Sequence, residues 1–215
     1  MAVKKKTRIE IQPPNFKSVN LRLVGVSPLM MHKFSEKSRR TMEEAQQAES
    51  KTRRKREPKD YPAEFEGAKY IATDGWEGVP ALSIRAAMIR ACKTVDGLAM
   101  TDAKGAFFIK ADGFDVTDGT PLIRIHGKSV HDTRPVRLES GVTDLRNRPR
   151  YDSWECNVSV EFDADMVSAN DVANLLARAG TQIGIGELRP FGRKSFGGDF
   201  GMWQVKNPKR RRKSA

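Results

Sequence analysis

Cysteine is almost missing from this 215-residue chain: there are two, Cys92 and Cys156, and they stand alone. Two isolated thiols exclude a disulfide framework and any Cys-x-x-Cys metal knuckle, and suit buried thiols in a reducing cytoplasm. Histidine is nearly as scarce, with His32, His126 and His131 the whole supply. No Ser-His-Asp or Cys-His signature and no metal-ligand spacing is evident, so neither cofactor nor metal is expected. No apolar run approaches the roughly 20 residues a membrane span requires, and no secretory leader is recognised. The glycines follow neither the phosphate-loop nor the dinucleotide spacing.

What the chain has in excess is positive charge. The formal net charge is +12 and the pI about 9.9. Residues 1–8 carry +4, residues 206–215 carry +6, and the stretch from Lys33 to Asp60 holds ten basic and six acidic residues. Those three segments exceed the whole-chain net, so the remaining body is about −2. The excess therefore sits in arms and one insertion. Three like-charged clusters point to a polyanion, of which nucleic acid is the usual one, bound in part through counterion release. Solubilising tails are the plain alternative.

The periodicity divides the chain into a basic arm (1–18), a body (19–205) with a charged, helical insertion (33–66), and a basic tail (206–215). Val19, Leu21 and Leu23 alternate as one face of a strand ending at Ser27-Pro28-Leu29-Met30. The insertion has no continuous apolar stripe and belongs outside the core. Tyr70–Ala72 is a short-strand candidate. Ser83 is a candidate N-cap for a helix whose apolar face is Ile84, Ala87, Met88, Ala91, Cys92 and Val95; Arg85 lies on its other side.

Ala106–Lys110 and Pro121–His126 read as strands. Gly127–Arg150 is the one basic stretch of the body: Lys128, His131, Arg134, Arg137, Arg146, Arg148 and Arg150 face only Asp132, Glu139 and Asp144. It reads as a loop or hairpin, where binding residues tend to sit. Trp154, Cys156, Val158, Val160 and Phe162 alternate with polar residues as a strand covering a core. Trp154 suits that core better than base stacking. Ser168 and Asp171 form a capping box for a second helix ending at Gly180.

From Gly180 to Trp203 the chain packs glycines with Arg189, Phe191, Arg193, Lys194, Phe196 and Phe200. Glycines permit close approach of backbone to ligand, and cations interleaved with rings suit a phosphate-and-base chain. The same glycines can simply serve turns and a bulge.

Two strand–helix–strand units in this order predict an α+β, ferredoxin-like fold of the split βαβ type, as in RRM-like domains: an antiparallel sheet with two helices. Val79-Pro-Ala-Leu-Ser-Ile-Arg-Ala-Ala-Met-Ile-Arg90 resembles a helix start of the RAMP superfamily, the RNA-binding subunits of CRISPR effector complexes. The Ser27–Met30 strand end and the stretch from Gly184 to Gly201 resemble that superfamily's early strand end and glycine-rich loop. Ala86 stands where the superfamily has glycine, and Arg189–Lys194 interrupts the glycine run. The closing pattern is also similar to small phage-encoded proteins, which would place the chain in a bacterial host cytoplasm.

The resemblance implies a non-catalytic subunit that binds a single strand, RNA favoured over DNA, and associates with itself or with a larger nucleoprotein complex. The expected phosphate contacts are Arg134, Arg146, Arg148 and Arg150 with Lys128, and Arg189, Arg193 and Lys194, joined by His32, Lys33 and Arg85. Phe191 and Phe196 are the expected stacking rings. Two alternatives stay open. One is metal-independent RNA cleavage with His32, His126 or His131 as general base. The other is a phage factor that binds a host nucleoprotein complex through protein contacts.

Overall fold

The computed structural model describes residues 10–34, 36–47, 59–137, 141–192 and 197–206. Its architecture is α+β with antiparallel sheets. The main sheet is built around one long strand, β9 (Thr143–Asp163), with β1 (Phe16–Gly25) on one side of its second half and β5 (Phe107–Lys110) on the other. Beyond β1 lies β10 (Trp203–Lys206), which gives the order β10-β1-β9-β5, every neighbour antiparallel. Two helices connect this set: α3 (Ala81–Ala91) lies between β1 and β5 in the chain, and α5 (Ala169–Arg178) between β9 and β10.

Alternation makes the sheet two-faced. Leu21, Leu23, Cys156, Val158, Val160, Phe162, Phe107 and Trp203 are buried against Ile84, Met88, Val172 and Leu176 of the helices. The other face carries Asn20, Arg22, Asn157, Ser159 and Glu161. Burial of the large apolar side chains on the inner face, about 1.5–3 kcal/mol each, is the main source of stability here. Trp154 belongs to this core, its indole N–H donating to the Ser27 carbonyl at 2.9 Å.

The capping box at α5 is present as expected, with Ser168 and Asp171 satisfying each other's backbone N–H. Gly180 does not end the chain's helical path. One π turn continues to Ile183, because a side chain at Gly180 would strike the Trp203 carbonyl at 2.3 Å and so glycine admits the turn against β10. The first core helix also starts earlier than Ser83 suggests, with Pro80 in the capping position and no side-chain cap.

The segment between β1 and α3 is richer than a charged excursion. β2 (Leu29–Met30) joins the main sheet beside the first half of β9. The exposed α1 (Glu36–Gln47) follows, then α2 (Tyr61–Gly67), which is held by the Asp60 cap and buries Phe65. Phe65 lies inside the expected insertion and is 4% exposed, so that insertion is not wholly outside the core. A second small sheet, β3-β4-β7-β6, forms from Tyr70–Ile71, Glu77–Pro80, Pro121–Arg124 and Gly113–Phe114. A short helix, α4 (Met100–Ala106), leads into β5. No helix among the described residues is long and apolar enough to cross a membrane.

Candidate nucleic-acid interface

β8 (His126–Arg137) pairs with the first half of β9 as a long two-stranded ribbon, so the basic stretch is a hairpin. Its register sets Asp132 opposite Arg148, Arg134 opposite Arg146 and Val130 opposite Arg150. Because side chains alternate along a strand, Arg146, Arg148 and Arg150 share one face. The other face packs on α2: His131 stacks on Phe65 with ring centroids 3.6 Å apart, and the Asn147 amide donates to the Tyr61 carbonyl at 2.7 Å.

A bulge decides which way the arginines point. Gly127 pairs with Trp154 and Ser129 with Tyr151, so β9 advances three residues where β8 advances two. The extra residue lets both Tyr151 and Trp154 face the core, each 1% exposed. Arg146, Arg148 and Arg150 consequently lie on the face that continues Glu155, Asn157 and Ser159, away from the helices.

The charges there form a connected cluster. Buried Asp132 lies 2.6 Å from Arg150 Nη1 and 2.7 Å from Arg134 Nε, the latter a close ion pair rather than a directed hydrogen bond. Arg150 also meets Asp152 at 2.8 Å, and this hydrogen bond, ahead of Asp132, raises its pKa further. Arg148 is 1% exposed, and its Nη1 lies 3.5 Å from Glu187 Oε2. Burial pushes its guanidinium down from the usual value while Glu187 and Asp132 oppose the shift; an arginine so placed remains cationic at neutral pH. Its Nε and Nη2 have no hydrogen-bond partner among the described residues. The other Glu187 oxygen lies 3.8 Å from His32 Nδ1. That contact, then Arg148 and Arg189, hold the Glu187 carboxyl below the usual carboxylate range against its desolvation.

Glu187 comes from the glycine-rich stretch, which is sewn onto the bend between β1 and β2. Gly201 N donates to the Pro28 carbonyl (2.7 Å), Glu187 N to Met30 (2.9 Å), and Met202 N to Ser27 Oγ (3.0 Å). The glycines exist for this close approach: a Cβ on Gly186 would lie 2.4 Å from the Met30 carbonyl, and one on Gly201 1.9 Å from that of Ile185. At these positions the turn-and-packing reading holds, not a backbone cradle for a ligand. The strap still contributes side chains. Arg134 reaches from β8 to lie 5.0 Å from the Phe200 ring, and since β9 and β2 lie between β8 and the strap, this contact crosses the arginine face.

The remaining expected contacts scatter. Lys33 is buried and pairs with Asp115 at 2.5 Å, an acid 82 residues away, which removes it from any surface site. Arg85 is turned back onto the fold: its guanidinium donates to the carbonyls of Phe107 and Lys104 and lies over the Phe108 ring. Lys128 is exposed at the bulge. Arg189 donates to the Gly186 carbonyl at 2.6 Å, and Phe191 is 45% exposed with Arg90 5.6 Å from its ring. Arg193, Lys194 and Phe196 lie outside the described residues. The histidines are not gathered: His32 meets Glu187, His131 is on the α2 side of the ribbon, and His126 is at its base opposite Glu155. Among the described residues no group of three His, Cys, Asp or Glu side chains could hold a metal.

Sequence reasoning missed Asp132, Glu187 and Phe200 as partners of the arginines. Counting back from a hairpin turn near Gly141 would have set Asp132 opposite Arg148; nothing local announces Glu187. No protein-family model matches the chain, and comparison with curated proteins gives no match.

Proposed function

We propose that this protein is a non-catalytic binder of single-stranded nucleic acid, RNA favoured over DNA, which lays the strand's phosphates along the arginine face of the β8–β9 ribbon and assembles with further copies along it. The observation that carries the reading is the set of four arginines, Arg134, Arg146, Arg148 and Arg150, on one ribbon face. Guanidinium groups are the usual partners of phosphate because they offer paired donors in one plane. The strand order β10-β1-β9-β5 with its two crossover helices supports a ferredoxin-like reading of the fold, and with it the RAMP-type role.

The test is fluorescence anisotropy of labelled single-stranded RNA, single-stranded DNA and duplex DNA across a salt series. Single-strand preference with a steep salt slope is expected. Arg146→Ala should flatten the slope by about 0.7 in log K against log salt, the loss of one single-strand phosphate contact. Equal binding to all three nucleic acids, or an unchanged slope in that variant, would remove the ribbon from the site.

Cleavage is a second reading with one observation in its favour, the contact of His32 with Glu187 beside Arg148. RNA shortened under metal-free conditions, and preserved by His32→Ala, would establish it. Intact RNA would dismiss it.

A further inference from the structure

The face of the main sheet turned away from α3 and α5 is polar almost throughout, with Ser18 and Asn20 on β1, Asn157 and Ser159 on β9, and Lys110 on β5 beside Ser159. Two residues break that pattern. Phe108 of β5 pairs with Glu161, and Phe16 of β1 pairs with Asp163, the next residue of β9 on the same face. The two phenylalanines therefore project from this open face on either side of β9. Their ring centroids are 6.0 Å apart with the planes inclined by 52°, so the rings meet across β9. Both remain open to solvent, Phe16 at 48% and Phe108 at 39% exposure, which gives a ligand room and a way in.

The pair is braced from the sheet edge. Arg85, held by the carbonyls of Phe107 and Lys104, sets its guanidinium 4.5 Å from the centre of the Phe108 ring. Arg85, Phe108 and Phe16 thus form a row across the sheet, and Phe16 is its most exposed ring. A ring steadied by its neighbours loses less freedom when a ligand stacks on it.

The surroundings identify the occupant. Two rings among short hydroxyl and amide side chains make too small an apolar area for the core of a protein contact. Beyond the bulge the same face carries Arg146, Arg148 and Arg150, and β9 runs on from Arg150 to Glu161 for roughly 36 Å at about 3.3 Å per residue. One extended strand laid along β9 would meet the arginines at one end and the rings at the other. Glu161 and Asp163 flank the rings and disfavour phosphate there, while carboxylates accept hydrogen bonds from the amino groups of bases. Cations mark where the phosphates lie; rings and carboxylates mark where bases lie.

We infer that Phe16, braced by Phe108 and Arg85, is a stacking platform for bases of the single strand whose phosphates the ribbon arginines hold. This rests on the single-strand reading above and adds to it the place where the bases sit.

The experiment titrates the full chain with a single strand of roughly 16 nucleotides and with an abasic sugar–phosphate strand of the same length. Wild type should favour the strand that carries bases. Phe16→Ala should weaken that binding by about 5- to 150-fold, the loss of one stacked base, with the salt slope and the abasic affinity unchanged. Phe16→Trp should restore the affinity and Phe16→Leu should not, because leucine is apolar but offers no ring. Phe16 is half exposed, so these variants should melt close to wild type.

Wild-type affinity in Phe16→Ala or in Phe16→Leu, or equal binding of the abasic strand by wild type, would overturn the platform and leave the ribbon reading standing. Failure of wild type to bind either strand would overturn both. If Phe16→Ala altered only the sedimentation of the free chain and not its affinity for the strand, the rings would be a contact between copies and the platform would fall.

Discussion

Gly201 and Gly197 offer a controlled comparison of what glycine does in the strap. Both have positive φ, +66° and +75°, so alanine at either incurs the same left-handed backbone cost of about 1–2 kcal/mol. Their surroundings differ. A Cβ at Gly197 meets nothing within 4 Å, while at Gly201 it lies 1.9 Å from the Ile185 carbonyl oxygen. Relieving that overlap moves the strap by roughly 1 Å and loosens the bonds Ile185 N to Gly201 O and Gly201 N to Pro28 O. Each is worth about 1 kcal/mol. Gly201→Ala should therefore cost about 3–4 kcal/mol and Gly197→Ala about 1–2 kcal/mol. For a chain of this size that is a fall in melting temperature of about 6–16 °C against about 2–8 °C. Circular dichroism melts of the two variants, run beside the anisotropy titration, separate the possibilities. Should Gly201→Ala melt like wild type yet lose nucleic-acid binding, the glycine would be facing a ligand and the packing argument would be wrong.

The buried pair Lys33–Asp115 gives a second expectation: Asp115→Asn strands a buried ammonium and should destabilise by about 3–5 kcal/mol in urea titration, with Lys33→Met/Asp115→Leu recovering most of it. A single substitution costing under about 1 kcal/mol would refute burial of the pair. The lowered Glu187 carboxyl sets a pH dependence. A carboxyl depressed by folding contributes stability above its unfolded pKa and loses it as the pH falls through the folded value, so Glu187→Gln should show a shallower decline in melting temperature below about pH 4. Superimposable acid limbs would show that the His32 and Arg148 contacts contribute nothing.

The parts of the fold legible in the sequence are those written in local pattern. Alternation from Trp154 to Phe162 announces the central strand, and Ser168 with Asp171 announces the start of α5. Two strands of the second sheet, within Tyr70–Ala72 and Pro121–His126, were legible, but not that they form a separate sheet, because Gly113–Phe114 is only two residues long, too short for any period to show, and Glu77–Pro80 reads as the approach to a helix. Lys33 read as a surface cation because its partner, Asp115, is brought to it by tertiary folding. The glycine stretch was ambiguous in principle: close approach to a carbonyl and close approach to a phosphate ask for the same residue. Four arginines in one hairpin could be read; their shared face, and the meeting of Arg148 with Glu187 from the glycine-rich stretch, depend on pairing across strands and on tertiary folding.

The extra residue between Tyr151 and Trp154 has an evolutionary corollary. Side chains along β9 alternate with a period of two, so the bulge acts as a phase shift between the half that builds the core and the half that carries charge. Deleting one residue there would invert the ribbon, turning Arg146, Arg148 and Arg150 toward α2 and presenting Asn147 and Pro149 outward. A lineage could silence or restore this surface by a single codon's gain or loss while every arginine stayed encoded.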